Sequence, residues 1–142
     1  MGVIQGVLAG APLVISAGTG KVGWATHDDY AQAAAAVLAG SGYENTIYEL
    51  SGTPITYGDL ATILEQVLNT NVSVQQVTDE EYGRSMANVG IPEQVFPILI
   101  AIQRSIREGA LDFESTDLQT LLGRPLTPLS DVIHSLVNEI KA

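Results

Sequence analysis

The sequence predicts an α/β fold, mostly helical with a few short strands, in one domain spanning residues 1–142. Three observations carry that prediction. Apolar residues fill 46% of the 142 positions, enough for one core and too few residues for two domains. Apolar stripes at helical spacing recur behind capping residues. Short β-like runs precede several of those caps, and strand–helix–strand is the rhythm of a parallel sheet.

The first strands are expected at residues 13–16 and 22–26, which flank a Gly-rich turn and read as a hairpin. Asp28 or Asp29 then caps a helix carrying Tyr30, Ala33, Ala34, Val37 and Leu38 at i, i+3, i+4 spacing, stopping at Gly40. Its alanine run lets the backbone lie close to another layer. Residues 46–50 form the next expected strand. Thr56 opens Thr-x-x-Asp, with Leu60, Ile63, Leu64, Val67 and Leu68 in one stripe behind it.

A strand over residues 72–77 leads to Thr78-x-x-Glu81, a capping box for a helix running toward Gly90. Pro92 suits the first turn of the following helix, whose stripe is Val95, Ile98, Leu99, Ile102 and Ile106 and whose end is Gly109. Pro97 either kinks that helix or marks its true start. A short helix over 117–122 ends at Gly123, and Thr127-Pro128 opens a final helix with Leu129, Val132, Ile133, Leu136, Val137 and Ile140 on one side. So small a sheet cannot give every stripe a partner, which points to missing structure.

Composition excludes several function classes. Six Lys+Arg stand against sixteen Asp+Glu, a net charge of −10, which leaves no basic face for phosphates. Nucleic acid and anionic membrane surfaces are therefore not expected partners. The absence of cysteine removes disulfides, thiolate metal sites and a cysteine nucleophile. No apolar run approaches the ~20 residues of a spanning helix, and residues 1–14 lack a cationic leader segment. A soluble, cytoplasmic protein is expected.

Motifs with chemical potential are each outweighed by a plainer reading. Gly18-Thr19-Gly20-Lys21-Val22-Gly23 matches the dinucleotide fingerprint, which works only where its last glycine opens a helix. Here Trp24-Ala25-Thr26-His27 follows and reads as strand, so a turn is expected. His27-Asp28-Asp29 has no further ligands at metal spacing and reads as a capped strand-to-helix turn. Arg104 and Arg107 share a helix side, where solvated charge outweighs an anion site. Trp24 is either core or the apolar wall of a cleft.

The order of motifs carries more than any one of them. It runs Val22-Gly23-Trp24-Ala25-Thr26-His27-Asp28-Asp29-Tyr30-Ala31, Tyr48-Glu49-Leu50-Ser51-Gly52, Glu81-Tyr82, Gly90-Ile91-Pro92 and Leu121-Leu122-Gly123-Arg124-Pro125. In that order the chain resembles the C-terminal half of NmrA-like, atypical short-chain dehydrogenase/reductases, especially the NAD(P)H:quinone oxidoreductase branch. The resemblance implies the C-terminal substrate lobe of a Rossmann-type protein, lacking the half that binds nucleotide. It implies too that residues 22–26 and 46–50 extend a sheet begun in that other half. The Tyr-x-x-x-Lys pair of typical family members is absent.

The function that follows is a substrate-binding fragment of an NAD(P)-dependent oxidoreductase, inactive alone, with no catalytic, cofactor or metal ligand of its own. In the intact relative, hydride passes from NAD(P)H to a flat apolar acceptor such as a quinone. The residues assigned to the acceptor wall are Trp24, Tyr82 and Phe96, with His27 as a hydrogen-bond donor at the strand end. The alternative is a regulatory or protein-interaction module without catalysis. Homodimerisation, or other self-association, is expected to cover the orphaned sheet edge and apolar faces.

Overall fold

A parallel pair of three-residue strands organises the fold. In the computed structural model, which describes residues 6–141, β1 (Leu13–Ile15) lies beside β4 (Val74–Gln76) with Leu13 opposite Val74. Of the stretch read as lacking a leader, residues 1–5 lie outside the described residues. The Leu13 N–H donates to the Ser73 carbonyl at 2.9 Å and the Val77 N–H to the Ile15 carbonyl at 2.8 Å. A second pair, β2 (Lys21–Trp24) with β3 (Thr53–Thr56), is antiparallel.

Both pairings differ from the sequence expectation. Residues 13–16 and 22–26 do not form a hairpin, because the backbone of Ser16 is taken by side chains of a later helix. Residues 46–50 are not a strand; Tyr48 and Leu50 turn inward to a core cluster and the Glu49 N–H donates to Asp117 at 2.9 Å. The strand of that region is β3. Among the described residues β2 and β3 form their own two-stranded sheet, and residues 46–50, not being a strand, extend no sheet.

Helix starts follow local chemistry. Thr26, rather than Asp28 or Asp29, caps α1 (His27–Ala39), its side chain accepting from the Asp29 N–H at 2.9 Å. Thr56 with Asp59 and Thr78 with Glu81 form complete capping boxes for α2 (Tyr57–Leu68) and α3 (Asp79–Asn88). Each acid's carboxyl is held below its usual range, chiefly by the hydrogen bond from its cap's backbone N–H. A 3-10 turn over Glu93–Val95 precedes α4 (Phe96–Arg107), so Pro97 marks that helix's true start. The chain ends with α5 (Asp117–Leu122) and α6 (Leu129–Lys141).

Two cores result. One packs α2 and α6 against the parallel pair through Leu13, Ala61, Leu64, Val72, Ile133 and Val137. The other joins α1 to α5 through Ala33, Leu118 and Leu121; Ala33 is fully buried, whereas Ala34 and Ala35 are exposed, so the close packing expected of the alanine run is made at Ala33 and not along the run. Helix α3 packs on α4, where Gly83 faces Ile100 and Phe96.

Candidate functional site

The Gly-rich turn after β1 is consumed by packing. A Cβ on Gly20 would stand 2.0 Å from the Ile106 carbonyl oxygen, and one on Gly23 would stand 2.0 Å from Ser51 Oγ. These glycines admit the end of α4 and the approach of β3, and strand β2, not a helix, follows Gly20. Without a helix N-terminus behind the turn, the segment does not fit a pyrophosphate.

Polar groups converge beyond the C-terminal end of β1, the side on which α/β sheets bind ligands. The Ser16 N–H donates to Gln103 Oε1 at 3.0 Å, and Gln103 Nε2 donates to Tyr57 Oη at 3.2 Å. Gln103 is buried, 5% exposed, on the inward face of α4, and Tyr57 is the first residue of α2. Arg107 donates to the Ser16 carbonyl. It also pairs with Asp79 at 3.0 Å, and Arg104 joins the same carboxylate at 3.2 Å. The two arginines thus hold an internal anion rather than an external one. Arg107 first, then its neighbours, keeps the Asp79 carboxyl far below the usual carboxylate range.

Trp24 lies half-buried on β2 and meets the Tyr57 ring edge to face, with centroids 6.1 Å apart at 83°. Its indole N–H is buried without a hydrogen-bond partner among the described residues. Tyr82 is buried on α3; burial, then the nearby Tyr57, pushes its phenol up. Phe96, at the start of α4, packs toward Gly83, next to Tyr82 in sequence. Trp24 thus meets Tyr57 and Tyr82 lies near it, whereas Phe96 packs toward Gly83. His27 stays apart, exposed at the start of α1 and joined to none of them by a hydrogen bond among the described residues.

Two clefts flank this region. One of about 320 Å³ runs beside Trp24, between β3 and the segment from Pro125 to Leu129. The other, about 490 Å³, is a shallow apolar trough on the outer face of α4, lined by Pro97, Ile98, Ala101, Ile102 and Leu111. Neither is lined by His27, Tyr82 or Phe96.

Tyr57 and Gln103 were not singled out from sequence. The available signal was Gln103 itself, a polar residue four after Leu99 and three before Ile106, on the buried stripe of α4. A buried amide demands partners. Asp29 carried a signal of the same kind. It is fully buried and accepts from Arg124 at 2.8 Å, the Thr127 N–H at 3.0 Å and the Thr127 hydroxyl at 2.9 Å. Burial raises its carboxyl and these bonds outweigh burial, leaving it lowered.

No family model matches the chain. Quinone oxidoreductase 2 of Escherichia coli is 31% identical over 94% of the chain. The chain spans 50% of that relative's length. The crystal structure of the NADPH-dependent quinone oxidoreductase QOR2 from the same bacterium, complexed with NADPH, superposes with a TM-score of 0.89 at 30% identity, over 96% of this chain and 49% of that one. The chain corresponds to the C-terminal half of an atypical short-chain dehydrogenase/reductase. Triphenylmethane reductase of Citrobacter sp., complexed with NADP(H), is another such relative, with TM-score 0.87 and 37% identity over 93% of this chain and 46% of its own. In this half of the atypical dehydrogenase fold, the first and last of the ordered motifs meet through the Asp29–Arg124 pair. No helix among the described residues is long and apolar enough to cross a membrane.

Proposed function

We propose that the chain is the substrate-side lobe of an NAD(P)H-dependent reductase acting on flat conjugated acceptors of the quinone type, one domain that is inactive by itself. The observation carrying this reading is the Gly18–Gly23 turn, whose glycines pack against α4 and β3 and whose continuation is strand. The lobe then has no dinucleotide cradle at its one fingerprint, and hydride transfer needs a donor held elsewhere. The residues we assign to the acceptor wall are Trp24, Tyr82 and Phe96, of which Trp24 alone lines one of the two clefts, and His27 stands apart from them. Support comes from the half-length match to reductases that bind NADP(H). A cysteine-free chain fits a cytoplasmic setting.

The test is direct. The 142-residue chain is mixed with NADPH and 1,4-naphthoquinone, and absorbance of the reduced nicotinamide is followed. No oxidation above the protein-free rate is expected, and calorimetry finds no tight NADPH binding. Turnover at an ordinary enzymatic rate overturns the reading.

The apolar trough on α4 favours a second reading, an interaction lobe without catalysis. Ile98 is 62% exposed and Ile102 45%, more apolar surface than a single helix face ordinarily leaves in water. Self-association through this face is part of our proposal.

A further inference from the structure

The hydrogen bonds around Gln103 fix a direction that sequence alone does not show. A backbone N–H only donates, so the Ser16 N–H requires an oxygen from Gln103, and its contact is Oε1 at 3.0 Å. The amide is thereby oriented. Its Nε2 faces Tyr57 Oη at 3.2 Å and must donate, so the phenol oxygen accepts. Tyr57's own proton is left unspent, and no acceptor for it is found among the described residues. The ring cannot easily turn away, because Trp24 lies against it at 6.1 Å and Tyr57 sits in the capped first turn of α2.

We propose that Tyr57 donates a hydrogen bond to the carbonyl oxygen of the bound acceptor, and that Gln103 is the residue that positions it. The proposal rests on the acceptor-binding reading above and deepens it. Tyr57 is half-buried, and burial pushes its phenol up, so the donor stays protonated throughout neutral pH. The carbonyl is the distinguishing group: a flat hydrocarbon fits the same aromatic wall but has nothing to accept the proton. Discrimination between the two then resides in a single hydroxyl.

Trp24, the chain's one tryptophan, reports from beside that hydroxyl. Its fluorescence is titrated with 1,4-naphthoquinone and, separately, with naphthalene. In the native chain the quinone binds more tightly than the hydrocarbon. Tyr57→Phe keeps the ring and removes the donor; quinone affinity falls about tenfold and naphthalene affinity is unchanged. Gln103→Glu still accepts from the Ser16 N–H, but its second oxygen takes the Tyr57 proton, so the same selective loss is expected with the tyrosine intact. A purely structural role for Gln103 would weaken both probes together.

Native quinone affinity in Tyr57→Phe overturns the proposal and leaves the acceptor wall standing. Equal loss of both probes in that variant also overturns it, since the ring and not the hydroxyl then carries binding. Failure of the native chain to bind either probe overturns the acceptor wall and the proposal together.

Discussion

Arg124 donates to the Oδ1 of Asp29 at 2.8 Å, tying the segment after α5 to the first turn of α1 across 95 positions of sequence. The carboxylate is wholly buried while the guanidinium keeps 37% of its side-chain surface, so the two ends of the pair are not equivalent.

That asymmetry sets the order of two substitutions. Arg124→Ala strands a buried charge with only the Thr127 donors and is expected to cost about 3 kcal/mol. Asp29→Ala costs less, because the released guanidinium turns into water. Urea unfolding of the two variants measures the difference; equal costs would mean that the pair does not govern this junction.

Acid should find the same carboxylate. The folded Asp29 lies below its ordinary value of 3.8, so the unfolded chain binds the proton more readily. Its contribution is complete above that ordinary value and is lost as pH falls from there through the depressed folded one. Asp29→Asn is expected to flatten the fall of stability on acidification, read from unfolding curves between about pH 5 and pH 2. An unchanged slope would assign acid sensitivity to Asp79 and the capping acids instead.

Gly20→Ala tests the fingerprint. The new methyl would meet the Ile106 carbonyl oxygen at 2.0 Å, and backbone on both sides prevents easy relief. A loss of about 3 kcal/mol in stability is expected, seen as a lowered urea midpoint. A variant as stable as the native chain would contradict the packing role assigned to this glycine.

The trough on α4 makes a separate prediction. Replacing Ile98 and Ile102 together by Glu should leave stability within about 0.5 kcal/mol, since both side chains are largely exposed. Sedimentation of the native chain at micromolar concentration should show an oligomer, and the double variant a monomer. A native monomer ends the case for self-association through this face.

The parts of the fold legible in sequence were those set by near neighbours. Thr56 with Asp59 and Thr78 with Glu81 are three apart, and their capping boxes formed as read. The stripe on α6 and the stop at Gly123 were equally local. Strand pairing was not legible, because three-residue strands some sixty positions apart carry no pattern that names a partner. Of the candidate residues, the aromatics Trp24, Tyr82 and Phe96 stood out by type, whereas the link from Tyr57 to Gln103 spans 46 positions and depends on how α2 and α4 meet.

One consequence concerns the flank of β1 that faces away from β4. Gln103 and Arg107 already occupy the N–H and C=O of Ser16, so an incoming chain finds no uninterrupted ladder to copy there. Two side chains thus act as a stopper against cross-molecular zipping, a hazard that short apolar segments such as Leu13–Ile15 otherwise invite in a crowded solution.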